Sequence, residues 1–229
     1  MPYRKPLQWP EKSLSIKSVD VIKEDDYLPS LLEDMVDTIK VERGGGLAAP
    51  QIGLNQKVIL IDVASWEESS SFLQKLSSEL VEDRYWFLLN PSLSLSDQAQ
   101  KWSEGCLSVP WVTAEVERAS ACSVSYLTTD FEPREINLPW PLSGAVQHEY
   151  DHLEGKLYLN RISRLKSARL KNFITKKRKK IEDYREDLLK DSEEKKIGRN
   201  KRREREKLSR KETKKRKAVK KLNSRSRRA

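Results

Sequence analysis

Little in this sequence suits a covalently cross-linked or membrane-embedded fold. Its 229 residues include two cysteines, Cys106 and Cys122. That is too few for a disulfide-built scaffold and fits a reducing cytosolic setting. No uninterrupted apolar run approaches the roughly 20 residues that a membrane-spanning helix needs. The first twenty residues mix basic and acidic groups and hold no apolar stretch like a signal peptide's central region. A transmembrane or secreted protein is therefore disfavoured. Histidine is equally scarce: there are two, His148 and His152, four positions apart.

Charge, by contrast, is abundant and uneven. Residues 1–160 carry 14 Lys+Arg and 25 Asp+Glu, a net of −11, whereas residues 161–229 carry 31 and 10, a net of +21. The overall +10 describes neither part. The acidic part reads as a folded domain. Leu28 to Arg43 has apolar residues at Leu31, Leu32, Met35, Val36 and Ile39, the spacing of an amphipathic helix. Lys57–Val63 and Tyr85–Asn90 are short apolar runs expected to be buried strands, with a helical pattern from Ser69 to Asp83 between them. Ala114–Leu127 alternates like a half-buried strand. Helices and hairpin-like strands mix without regular βαβ alternation, which favours an α+β domain over residues 1–163. Residues 164–229 form a basic extension. Its start has helical spacing at Leu170, Ile174, Ile181, Tyr184 and Leu188. Beyond about Asp191 it has little to bury and is expected to stay disordered or transiently helical until bound.

Three segments carry chemistry. In Gln147–Gly155 (QHEYDHLEG), a helix would place His148 and His152 one turn apart on the same side, so both imidazoles can reach one metal ion. Glu149 lies beside them, suited to receive a proton from a water that the metal acidifies. Gly155 follows as a helix stop. A bare HExxH also occurs by chance, but here every histidine of the chain falls inside the pattern. A catalytic site of this type needs a third ligand, either a distant carboxylate or a cysteine. Cys106, in Glu104–Ser108 (EGCLS), is the cysteine candidate, with Gly105 allowing close backbone approach. Cys122 sits in an alternating strand and reads as a small core residue. In Gly44–Gln51 (GGGLAAPQ), no Lys-Ser/Thr follows the glycines, so a P-loop is unsupported. A flexible turn is the default reading; a backbone edge against an extended substrate, with Gln51 aimed at a developing oxyanion, is the functional one.

GGGLAAPQ, EGCLS and QHEYDHLEG, in that order, resemble the three signature motifs of peptide deformylases, over roughly residues 6 to 163. The resemblance implies a compact α+β domain with mixed or antiparallel sheets around a central HExxH helix, followed here by the basic tail. It implies that Cys106, His148 and His152 hold a divalent metal, typically Fe(II), with zinc, nickel or cobalt able to occupy the site. The implied activity is removal of the N-formyl group from the initiator methionine of nascent polypeptides. Glu149 would move the proton, and Gln51 and the Leu107 N–H would stabilise the oxyanion. The Gly46 carbonyl would hold the formamide N–H, and Gly45 and Gly105 would offer backbone edges to the peptide. By the same resemblance Arg118 pairs with Glu104 behind the ligands, although a surface salt bridge is the plain alternative. Two departures stand out: Gly45 replaces a usually bulky aliphatic residue, and Trp9–Leu14 matches the family only loosely.

The segment 161–229, at +21 with few aromatics, has the composition of a phosphate-contacting tail, and ribosomal RNA is the expected partner. A monomer in the cytoplasm is expected, or in a host's cytoplasm for a viral source. The absence of a clear transit peptide leans against an organelle without excluding it. Two competing readings are a metallopeptidase acting on internal amides and a non-enzymatic nucleic-acid-binding protein with a vestigial metal domain. The lack of a third histidine argues against the three-histidine peptidases. The complete set of ligands, base and oxyanion donor argues against the vestigial domain.

Overall fold

The computed structural model describes residues 3–69 and 84–189. By contact density the chain divides into two compact units, Met1–Ile174 and Thr175–Ala229. In the first unit, α1 (Leu28–Glu42) buries Leu31, Met35, Thr38 and Ile39, the positions set by its 3.6-residue period. Pro29 fits its first turn, and Arg43 ends it in the left-handed conformation at φ 56°, just before the glycine run.

Among the described residues, five strands then form one antiparallel sheet, joined in the order β1–β2–β3–β6–β7. They are β1 (Gly46–Ala48), β2 (Val58–Asp62), β3 (Tyr85–Leu95), β6 (Cys122–Leu127) and β7 (Pro133–Leu138). The remaining two, β4 (Ala99–Cys106) and β5 (Val109–Ala119), make a separate hairpin. β2 is buried throughout because both faces of the sheet are covered. Val58 and Leu60 pack with Leu31, Met35 and Ile39 of α1, while Ile59 and Ile61 pack with Leu142, Val146 and Leu153 of α2 (Leu142–Leu153). Each such aliphatic side chain contributes about 1.5–3 kcal/mol on burial. A third cluster joins Val109, Ala114 and Val116 of β5 to Leu157, Tyr158, Leu159 and Ile174.

The expected strands at 57–63 and 85–90 are present, but β3 runs on to Leu95. Asn90, at φ 48°, and Pro91 lie where the register shifts between Leu89 and Ser92. There the strand leaves β2 and continues against β6, so a sequence that looks like a stop is a bulge. The alternating segment 114–127 is two strands, β5 and β6, parted at Ser120–Ala121. The helical pattern at 70–83 lies outside the described residues, as does the tail beyond 189. Residues 164–189 are helical, and no helix among the described residues is long and apolar enough to cross a membrane.

Candidate active site

Eleven of the twelve residues of α2 are buried, including Gln147, His148, Glu149, Asp151 and His152. Buried polar groups need partners, so the ones that lack them are informative. Gln147 exchanges hydrogen bonds with the Ala119 backbone, its Nε2 donating at 2.9 Å and its Oε1 accepting at 3.0 Å. Asp151 pairs with Arg118 and Arg161. Glu149 Oε2 and His152 Nδ1 are buried without a partner among the described residues.

The ligand atoms of Cys106, His148 and His152 lie within 4.8 Å of one another. Cys106 is delivered by the last position of β4, just past a register shift that follows Glu104. Its Sγ is 3.2 Å from His152 Nε2. One thiol and two imidazoles, from a helix and a hairpin, supply three donors, one fewer than a tetrahedral site takes, and they fit a divalent transition metal. Cys122, in contrast, is packed in the sheet core, and burial pushes its thiol up to about 11. It is an inert core residue.

Behind the ligands stands a buried ion network. Glu104 Oε2 is 2.7 Å from His148 Nδ1, which leaves Nε2 of that ring for a metal. Arg118 donates to both Glu104 oxygens, at 2.7 and 3.0 Å, and its other amino group reaches Asp151. Both partners of the Glu104–Arg118 pair are 1% exposed, so the surface salt bridge considered above does not apply. Burial opposes the charge on Glu104, but hydrogen bonds from His148 and Arg118 outweigh it and hold the carboxyl at about 2. Burial likewise opposes charge on His148, yet Cys106 and Glu104 hold its pKa well above the ordinary value. A metal would displace that proton. His152 is pushed well below its ordinary value, chiefly by burial, and so presents a neutral imidazole.

Opposite α2 lies β1. The Asp62 N–H donates to the Gly45 carbonyl at 3.1 Å, so that carbonyl faces β2 at the position just before β1 begins. Pairs alternate in an antiparallel ladder, and the next pair, Gly46 with Ile61, therefore turns the Gly46 N–H and carbonyl away from β2. Among the described residues β1 is the outermost strand of its sheet, and no strand pairs with its outer edge. The Gly45 carbonyl, by contrast, is already taken: it also accepts from Trp66 Nε1 at 3.0 Å. Gly46 has no room for a side chain, since a Cβ there would lie 2.6 Å from Glu149 Oε1.

Gln51 follows in a short 3-10 turn, Ala49–Ile52. Its Oε1 accepts from the Ala48 N–H at 2.8 Å, which orients Nε2 toward Ser108 Oγ at 3.3 Å and Cys106 Sγ at 3.6 Å. The N-terminal segment, loosely patterned as it is, fixes both sides of this turn: Leu7 N–H donates to Gln51 O at 2.7 Å and Trp9 N–H to Ser108 O at 2.8 Å.

These groups surround one cavity of about 480 Å³, to which Gly44–Gly46, Gln51, Gly105, Cys106, Leu107, His148 and Glu149 contribute. His152 lies in the donor cluster without being among the residues that line the cavity. Sequence reasoning had not anticipated Trp66, Trp102 and Trp111 on its wall. It had also passed over Asp151 and Arg161, although Asp151 lies inside the HEYDH segment itself.

Residues 4–168 match the polypeptide deformylase family. A peptide deformylase of Methylacidiphilum infernorum is 35% identical over 161 residues, covering 70% of this chain and 85% of that protein. The crystal structure of a peptide deformylase from Legionella pneumophila superposes with a TM-score of 0.67 at 32% identity, over 77% of this chain and 96% of that one. The peptide deformylase of Ehrlichia chaffeensis in complex with actinonin gives 0.67 at 31%, over 77% and 98%. Fold and site together define a metal-dependent hydrolase. The chain belongs to the polypeptide deformylase family. It is an enzyme that hydrolyses the N-formyl group from the initiator methionine of nascent polypeptides and releases formate.

Proposed function

We propose that Cys106, His148 and His152 hold the metal, natively Fe(II), and that Glu149 is the proton-transfer group of deformylation. The observation that carries this is the buried Glu149 carboxylate, which lies against Gly46 and whose Oε2 has no partner among the described residues. When bound, the metal acidifies water and polarises the formyl oxygen. The formyl-methionyl peptide lies along β1, adding a strand to its open edge, with its formamide N–H on the Gly46 carbonyl. The Gly45 N–H and the Gly105 backbone serve the residues downstream. Such backbone pairing accepts many sequences after methionine.

Glu149 takes one proton from the attacking water as its oxygen bonds to the formyl carbon. Gln51 Nε2 and the Leu107 N–H donate to the oxygen that gains negative charge. Glu149 then passes the proton to the amide nitrogen as the carbon–nitrogen bond breaks, leaving a free amine and formic acid, whose remaining proton is lost to solvent to give formate. Zinc, nickel or cobalt would satisfy the same three donors. The protein purified anaerobically should carry one divalent metal per chain, release formate from formyl-Met-Ala-Ser, and leave the N-acetylated counterpart intact. Cleavage of internal bonds without formate would favour a metallopeptidase instead.

The basic extension, residues 164–229, is proposed to bind ribosomal RNA and hold a monomeric enzyme near emerging chains in the cytoplasm. The +21 charge of residues 161–229 supports this. So does its low aromatic content, which suits phosphate contact more than base stacking. Full-length protein should pellet with ribosomes, and a chain ending at Ile174 should remain in the supernatant. Binding should weaken steeply with salt. Equal pelleting of the two across moderate salt would reject the role.

A further inference from the structure

Gly45 and Gly144 mark two places where an indole occupies the room of a side chain. A Cβ on Gly45 would lie 2.9 Å from Cζ2 of Trp66. One on Gly144, in α2, would lie 2.9 Å from Cζ3 of Trp140 and 3.1 Å from Cζ2 of Trp102. The three rings are continuous. The centroids of Trp66 and Trp102 are 5.9 Å apart, and those of Trp102 and Trp140 are 5.0 Å apart, tilted by 39° and 69°. A row of indoles therefore runs from β1 to α2.

Two hydrogen bonds fix this row: Trp66 Nε1 donates to the Gly45 carbonyl at 3.0 Å, and Trp102 Nε1 to Glu104 Oε1 at 2.7 Å. Trp66 and Trp102 both line the cavity that holds Cys106, His148 and Glu149. We infer that Trp66 is a specificity-determining residue. It stands where a side chain on Gly45 would stand and, with Trp102, gives the cavity an aromatic wall that selects methionine through its sulphur. This rests on the proposed seating of the peptide on Gly46, which brings its first side chain into the cavity beside residue 45.

An aliphatic wall grips methionine and norleucine alike, because the two differ only by sulphur against methylene. A wall of indoles separates them, since a thioether sulphur about 5 Å from a ring makes a favourable contact that a methylene does not. The wild-type enzyme should therefore show kcat/KM for formyl-Met-Ala-Ser about 2- to 10-fold above that for formyl-norleucyl-Ala-Ser. Trp66→Leu should bring the ratio close to unity by lowering the methionine value. Trp66→Phe, which keeps a ring but loses the N–H, should retain most of it.

Should Trp66→Leu not fold, the double variant Trp66→Ala/Gly45→Val refills the vacated space from the other side. It should be active with a ratio near unity, whereas Gly45→Val alone collides with Trp66 and should impair turnover of both peptides. An unchanged ratio in Trp66→Leu or in the double variant would overturn the inference, as would equal kcat/KM for the two peptides in wild type. Absence of formate from either peptide with wild-type enzyme would overturn the deformylase reading first, and the inference with it.

Discussion

Replacing Glu149 by glutamine is expected to lower kcat by about 10²–10⁴-fold while leaving KM, metal content and thermal stability near wild type. Glutamine keeps the size and planarity of the side chain, so it fits the slot against Gly46, where a Cβ would already meet Oε1 at 2.6 Å. What it loses is the capacity to accept and return a proton. Burial pushes the Glu149 carboxyl up to about 7 in the protein alone, and a bound divalent cation would pull it back down. The group is therefore poised by two opposing influences, with no salt-bridge partner of its own among the described residues. Formate release by Glu149→Gln at the wild-type rate would remove Glu149 from the mechanism, whatever the fate of the metal ligands.

The second large effect is expected at Arg118. Its side chain is 1% exposed and lies between two carboxylates, Glu104 and Asp151, each 3% exposed or less. Arg118→Ala leaves those charges buried and facing one another across a void. Loss of one partner from such a network costs about 3–5 kcal/mol, which for a domain of this size corresponds to a fall of about 10 °C in thermal midpoint. Arg118→Lys should recover only part of this, because a single ammonium cannot reproduce the guanidinium's two bonds to Glu104 together with its contact to Asp151. Glu104→Gln separates stability from chemistry. Since Glu104 fixes His148 through Nδ1, this change should weaken metal retention about 10- to 100-fold, read by metal content after dialysis against a mild chelator. Metal retention equal to wild type in Glu104→Gln would mean that α2 alone orients the histidine.

The cluster of candidate ligands was legible in the sequence because each of its members sits in a short segment with its own local logic. His148 and His152 needed only a helix to come together, and Cys106 needed only a glycine-flanked strand end. The oxyanion candidate Gln51 was legible for the same reason. α1 and β2 were close to expectation, since a 3.6-residue period and a continuous apolar run are strong signals. β4 was missed because Ala99–Cys106 is mostly exposed along its length and carries no apolar alternation. The extension of β3 was missed because Asn90-Pro91 reads as a turn until β6 is known to lie alongside. Trp66 had no signal at all: its partner is 21 residues away, and only the pairing of β1 with β2 carries it to Gly45. Asp151 and Arg161 were passed over because the usefulness of a buried carboxylate depends on cations that the fold, not the motif, supplies.

The outermost strand of the main sheet, β1, is three residues long and follows directly on Gly44 and Gly45. An enzyme that receives its substrate as an added strand must keep one row of backbone groups unpaired, and such rows are also where proteins stick to one another. Here the invitation is short. Gly46 offers a single outward-facing N–H and carbonyl before Ala48 turns its N–H to the side chain of Gln51. In the proposed seating, a chain end carrying a formyl group would use that edge through a contact or two beside the donor cluster. Another protein's long exposed strand would find too little ladder to hold. The brevity of β1 thus leaves little open ladder at this edge for an unfolded nascent chain to pair with.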